Sequence, residues 1–168
     1  MTPTTAETPV SLQKEEVANM VFAAAQEMFV SMMGAEVQLL PEPDAGRSDV
    51  FDGVLSLIGL AGAVAGSGAL ICSSEVACDL SSRLLMSECP QVDAQTLDSV
   101  GEITNMIVGG LKNLIEPYTG ELRMSVPTVI HGKNIFLRNS QADMAVAVRC
   151  GYPQGEFELT VRLSAARK

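Results

Sequence analysis

The 168-residue chain has no tryptophan, two tyrosines, five phenylalanines and one histidine. So thin an aromatic complement leaves little for stacking on nucleic-acid bases. Basic residues are scarce too, with eleven Lys and Arg against twenty Asp and Glu and a formal charge of -9. Phosphate-backbone binding relies on cationic side chains that release counterions, so these counts argue against a nucleic-acid partner. Cys72, Cys78, Cys89 and Cys150 show neither a CxxC pair nor close spacing. With His131 as the only histidine, a zinc site would need ligands converging from scattered places, and buried reduced thiols are expected instead. The opening MTPTTAETPVSLQ lacks the cationic and apolar regions of a signal peptide. A cytoplasmic location is the expectation.

What is present is apolar. Hydrophobic residues make up 47% of the chain and charged residues 18%, enough for one folded domain with a real core. From Gly53 to Ser74 there is no charge at all, a length that raises the question of a membrane span. Gly59, Gly62, Gly66 and Gly68 would be costly in a helix, and no Lys or Arg flanks the run. Two buried strands joined by a turn near Ala61-Gly62 explain the same letters better, so no membrane insertion is expected.

Periodicity and punctuation predict the rest. Residues 1–13 read as a flexible polar tail and 14–168 as a single domain. A helix is expected over Lys14–Met33, stopped by Gly34. AEVQLL then reads as a strand, PEPDAGRSD as a loop, and the uncharged run as a hairpin. A helix capped by Ser73 or Ser74 runs to about Met86. A second long helix spans about Ala94 to Glu116, where Pro117 should stop it. Strands are expected near 121–128, 134–137, 142–149 and 156–163, with a Tyr-Pro-Gln-Gly turn between the last two. EVANMVF from Glu16 overlays EITNMIV from Glu102, and Gly34 and Gly120 follow at equal distances. This suggests two pseudo-repeats, about 14–72 and 94–164, in an α+β fold with two long helices packed on antiparallel sheet.

On the second long helix, Leu97, Val100, Ile103, Ile107, Leu111 and Leu114 share one side, the expected core face. Asp98, Glu102, Asn105, Gly109 and Lys112 line the opposite side. Composition alone would make this a solvated face. Yet a mid-helix Asn is a mediocre helix former, and Gly109-Gly110 should cost the helix roughly 1–2 kcal/mol against alanines. The glycine pair would open a shallow notch for the close approach of another surface.

Asp98-x3-Glu102-x2-Asn105, followed by Met-Ile-Val-Gly-Gly, resembles the signature of the CheC/CheX/FliY chemotaxis phosphatases. MMGAEV, ICSSEVACDLSSRLL and SVPTVIHG also look CheX-like, so the resemblance extends over most of the chain. It implies a pseudo-symmetric CheC-like fold and hydrolysis of the aspartyl phosphate on a CheY-like response-regulator receiver. Carried over, Asn105 would hold the attacking water, Glu102 would contact the receiver's active-site Lys, and Asp98 would be a peripheral docking residue. Gly109 is assigned to close approach from the notch argument alone. The chain would need no cofactor of its own, since the Mg2+ would belong to the receiver. A neutral amide suits this task, because it positions water without adding an anion beside the phosphoryl oxygens.

The resemblance also implies a homodimer. Its alternative reading is a non-catalytic FliM-like scaffold, although a scaffold has no need of the Glu102–Asn105 pair. Glu16 and Asn19 repeat the Glu-x2-Asn spacing on the first helix, but Leu12 stands where Asp98 would, and Ala23-Ala24 replace the glycine pair. That copy is expected to be an inactive relic. His131 is expected at a turn or on the surface, with no nucleophile elbow to make a triad.

Overall fold

A computed structural model describes residues 12–42, 49–139 and 141–165 of the chain. Most of the expected tail, and the centre of the PEPDAGRSD loop, lie outside the described residues. The first helix, α1 (Lys14–Met28), begins where Glu16 turns back to accept the Gln13 backbone N–H at 2.7 Å. That bond satisfies a donor which the first helical turn leaves over. The helix continues as expected to Met33, although Phe29–Met33 widens into a π-helical turn before Gly34 ends it at φ 60°. Glycine adopts this left-handed conformation at little cost.

The expected strand AEVQLL shrinks to β1 (Gln38–Leu40). Its first residues are bonded elsewhere: the Ala35 N–H donates to the Phe29 carbonyl, and the Val37 N–H to the Gln26 side chain at 3.1 Å. The uncharged run forms the expected hairpin, β2 (Val50–Gly62) and β3 (Val64–Cys72). Among the described residues no helix is long and apolar enough to cross a membrane. Ser73 caps α2 (Ser74–Leu85) by accepting the Val76 N–H at 3.2 Å.

The long helix α3 (Ala94–Thr119) runs through Pro117 instead of stopping there. The proline falls in the last turn, and the carbonyl it leaves unpaired belongs to exposed Asn113, where water can take it. The helix ends at Gly120, whose N–H still reaches the Glu116 carbonyl at 2.9 Å. Strands β4 (Leu122–Met124), β5 (Thr128–Phe136), β6 (Met144–Tyr152) and β7 (Gly155–Ala165) complete the chain. The strand expected over 121–128 is thus split at Ser125–Pro127. Pro127 has no N–H to donate, while the Ser125 N–H and Oγ bond Gly59 on β2.

These strands form one antiparallel sheet in the order β1-β6-β7-β3-β2-β4, with β5 also paired to β2. The order has a symmetry: β3 and β7 lie at the centre, and the short strand after each long helix crosses to the far half, β1 onto β6 and β4 onto β2. The offset that brings Glu16 onto Glu102 also brings Ala24 onto Gly110. A Cβ built on Gly110 would lie 3.4 Å from the Ala24 Cβ, so the two long helices meet at overlaid positions.

All three helices pack on one face of the sheet. Val54, Ile58, Leu70, Val148, Leu159 and Val161 project from the strands into the core. Val17, Val21, Ala25 and Met28 meet them from α1, with Val100, Ile103, Ile107 and Leu111 from α3. Leu114 departs from expectation, being 40% exposed while Ile115 is fully buried. At 3.6 residues per turn the apolar face advances by four from Leu111. Phe29 stacks on Phe157 at 5.1 Å between ring centroids and holds the end of α1 against the sheet.

Candidate functional site

The candidate site is a stripe along α3, and its precision depends on how firmly that helix is held. Asp93 and Thr96 cap its start reciprocally: Asp93 Oδ1 accepts the Thr96 N–H at 2.9 Å, and Thr96 Oγ1 accepts the Asp93 N–H at 3.2 Å. These bonds favour the ionised carboxylate and hold Asp93 below the usual range, the backbone bond from Thr96 contributing most. One turn on, Ser81 Oγ donates to Ser99 Oγ at 3.0 Å and links α2 to α3 within the core. Thr104 is buried and returns its hydroxyl to the Val100 carbonyl at 2.7 Å. At Gly68 on β3 the helix comes so close that an added Cβ would lie 2.7 Å from Val108 Cγ2. Side chains that might otherwise let α3 roll are therefore tied down.

Opposite this anchored face lie the residues singled out from sequence. Asp98 and Glu102 are exposed, while Asn105, Gly109 and Lys112 are half-buried. At a rise of 1.5 Å per residue the stripe is about 20 Å long. Glu102 and Asn105, three residues apart, are neighbours on the helix surface, with Cβ atoms roughly 5–6 Å apart. Among the described residues no hydrogen bond or ion pair engages Asp98, Glu102 or the Asn105 carboxamide. Lys112 is committed elsewhere, to Glu116 at 2.7 Å. That bond holds the Glu116 carboxyl below its usual range, helped by the Leu122 N–H that it also accepts. The upper stripe therefore keeps two unneutralised acids beside an amide free to donate and accept.

The glycine pair divides in a way the sequence does not reveal. Gly110 sits at the α1–α3 crossing, so the expectation that the pair opens a notch for another surface is corrected for this residue: it allows the close approach of Ala24 within the fold. Gly109 has no such role. Among the described residues a Cβ there would meet Met124 alone, its Sδ and Cε at the ordinary contact distances of 3.9 and 4.0 Å. Of the first-helix copy, Glu16 is spent on capping α1 and Asn19 stands exposed beside it. Both repeats carry the same spacing, but in α1 the acid is the third residue of the helix. In α3 it lies more than two turns in, where no backbone donor competes for it.

Cys72 and Cys150 are buried as expected, but Cys78 and Cys89 are only half-buried. His131 lies on the surface, one of its two expected positions, within strand β5, and its Nε2 is 3.1 Å from Ser74 Oγ. That contact has no local sequence signal, because it joins separate elements.

The site is thus an anchored helix that turns exposed acids and a half-buried amide outward from a pseudo-symmetric α+β sheet. The family profile described as Chemotaxis phosphatase CheX matches residues 54–150, which span β2 to β6 and include all of α3. The chain belongs to that family. It is 23% identical over 124 residues to the CheY-P phosphatase CheX of Thermotoga maritima, covering 73% of this chain and 80% of that protein. The crystal structure of the chemotaxis protein CheX from Vibrio vulnificus superposes with a TM-score of 0.77 at 22% identity, covering 89% of this chain and 99% of that one. The CheX of the CheX–CheY–BeF3–Mg2+ complex from Borrelia burgdorferi gives 0.72 at 22% identity, covering 92% and 99%.

Proposed function

We propose that the chain hydrolyses the aspartyl phosphate of a CheY-like response-regulator receiver domain. The observation that carries the reading is the Glu102–Asn105 pair, outward on α3 and unpartnered among the described residues, in a chain of the CheX family. The Borrelia relative is complexed with a CheY carrying BeF3 and Mg2+, a phosphoryl-like group and the metal of the receiver. By analogy, the stripe of this chain docks over the receiver's active site. Asn105 reaches the phosphoryl group and holds a water in line with the bond that breaks. The water oxygen bonds to phosphorus, the bond from phosphorus to the aspartate oxygen breaks, and inorganic phosphate and the free carboxylate result. Little covalent help is needed, because positioning supplies most of the acceleration.

Glu102 pairs with the receiver's active-site Lys and fixes the depth of insertion. Asp98 contacts the receiver's periphery, and Gly109 lets its backbone come close. The Mg2+ belongs to the receiver, where it neutralises charge on the phosphoryl oxygens. The protein acts in the cytoplasm as a homodimer, which light scattering would check. Phosphate release from several purified phosphorylated receivers tests the activity. Accelerated decay on adding the chain is expected for at least one of them. Unchanged decay for all removes the enzyme reading, and stable capture of a receiver or switch protein without hydrolysis would replace it with a scaffold.

A further inference from the structure

The stripe on α3 is too small to hold a folded domain by itself. About 20 Å long on a helix roughly 10 Å across, it presents about 200 Å² in projection. A specific interface of standard size takes about 800 Å² from each partner. A receiver seated on the stripe must therefore also touch what flanks it. One flank is α1. The two helices cross where Gly110 meets Ala24, and a groove of about 320 Å³ runs along their seam. Met28 and Met32 line it from α1 and its π-helical extension, and Met106 and Leu114 line it from α3. Met106 follows Glu102 by four residues, so the two are neighbours on the helix and the groove borders the stripe.

The groove carries apolar surface that the fold leaves in water. Met32 is 50% exposed and Leu114 is 40% exposed, although both flank a packed crossing, and covering them would be favourable. The turn that holds Met32 is π-helical, an uncommon widening that recurs at functional sites. Three of the four side chains named are methionine, whose unbranched, polarizable chain reshapes around what enters. The volume is at the low end of the range for small-molecule pockets, and the groove is open to solvent, which suits a protruding side chain. Glu27 is exposed at its rim and is the one charged lining residue among those described. Among the described residues no hydrogen bond or ion pair engages it.

We propose that this groove is a second contact for the receiver, and that it takes a large apolar side chain flanked by a Lys or Arg that pairs with Glu27. The inference rests on the receiver-phosphatase reading above and extends it. The stripe aligns the reacting groups, and the groove selects which receivers stay long enough to react. Burial of the apolar side chain slows dissociation. The Glu27 pair speeds encounter and is screened by salt.

The test measures binding, so it does not rely on hydrolysis. Each purified CheY-like receiver, loaded with BeF3 and Mg2+, is titrated into the full chain by calorimetry. Met32→Gln and Leu114→Gln should each weaken binding about fivefold, because a half-exposed side chain has about half of its burial still to gain. Met32→Leu should restore most of that loss. Val30→Gln changes an exposed apolar residue of the same turn that does not line the groove, and it should bind as the parent does. Glu27→Gln should weaken binding two- to threefold in dilute buffer and by less in about 0.5 M salt. Melting temperatures close to the parent's would show that these losses are not unfolding. Parent-like affinity of Met32→Gln and Leu114→Gln for every receiver that binds would overturn the groove contact and leave the phosphatase reading standing. An equal loss from Val30→Gln would overturn it too, by placing the contact elsewhere. Groove-dependent binding without phosphate release would uphold the contact and remove the phosphatase reading, and no binding by any receiver would overturn both.

Discussion

Asn105→Ala separates the roles that a polar residue in mid-helix can have. The side chain is half-buried and among the described residues it makes no hydrogen bond, so removing it breaks nothing in the fold. Alanine is the better helix former by about 0.5 kcal/mol. The variant should therefore unfold at the same denaturant concentration as the parent or slightly higher. Activity should move far more. A preorganised hydrogen-bonding group aimed at a transition state is worth about 100- to 1,000-fold in rate, or ~3–4 kcal/mol. Phosphate release at saturating receiver should fall by that factor. Receiver affinity, measured by fluorescence or calorimetry, should change much less, since the amide is one contact along a stripe about 20 Å long. Loss of more than about 1 kcal/mol in urea unfolding would mean that the carboxamide belongs to the fold. Retention of the full rate would refute the role assigned to it.

Three further outcomes follow from the same geometry. Gly109→Ala has room for its methyl group, so it should stabilise the helix by about 1 kcal/mol in chemical denaturation while weakening receiver binding; unchanged binding would remove Gly109 from the interface. Ser56 is fully buried on β2 with no partner for its hydroxyl among the described residues, so Ser56→Ala should raise the unfolding free energy by about 1 kcal/mol. A loss of stability there would show that the hydroxyl is satisfied. Asp93 has its carboxyl held below the usual range, so its capping contribution is complete above the unfolded value near 3.8 and fades as pH falls through the folded one. Asp93→Ala should lower the melting temperature at pH 7, with the difference from the parent narrowing in acid; a constant difference across that range would contradict the cap.

Local pattern carried much of the architecture. The apolar period of α3, the left-handed stop at Gly34, the Ser73 cap and the uncharged hairpin could each be read from residues within a turn or two of one another. So could the outward stripe, because a helix that buries Val100, Ile103 and Ile107 must turn Asp98, Glu102 and Asn105 away. The errors share one cause. Pro117 lies inside the helix because Asn113, four residues before it, happens to face water. The 121–128 strand divides because Ser125 finds Gly59 on a distant strand.

What the sequence by itself determined is therefore the face each helix shows and the residues it offers, since periodicity is set by bonds along the chain. Tertiary structure alone decided which offers are taken up. It spends Gly110 on Ala24 and leaves Gly109 open, and it sets Ser74 Oγ beside His131 of a distant strand. Such outcomes depend on which surfaces meet when the core closes, and contacts between distant segments leave no period to read.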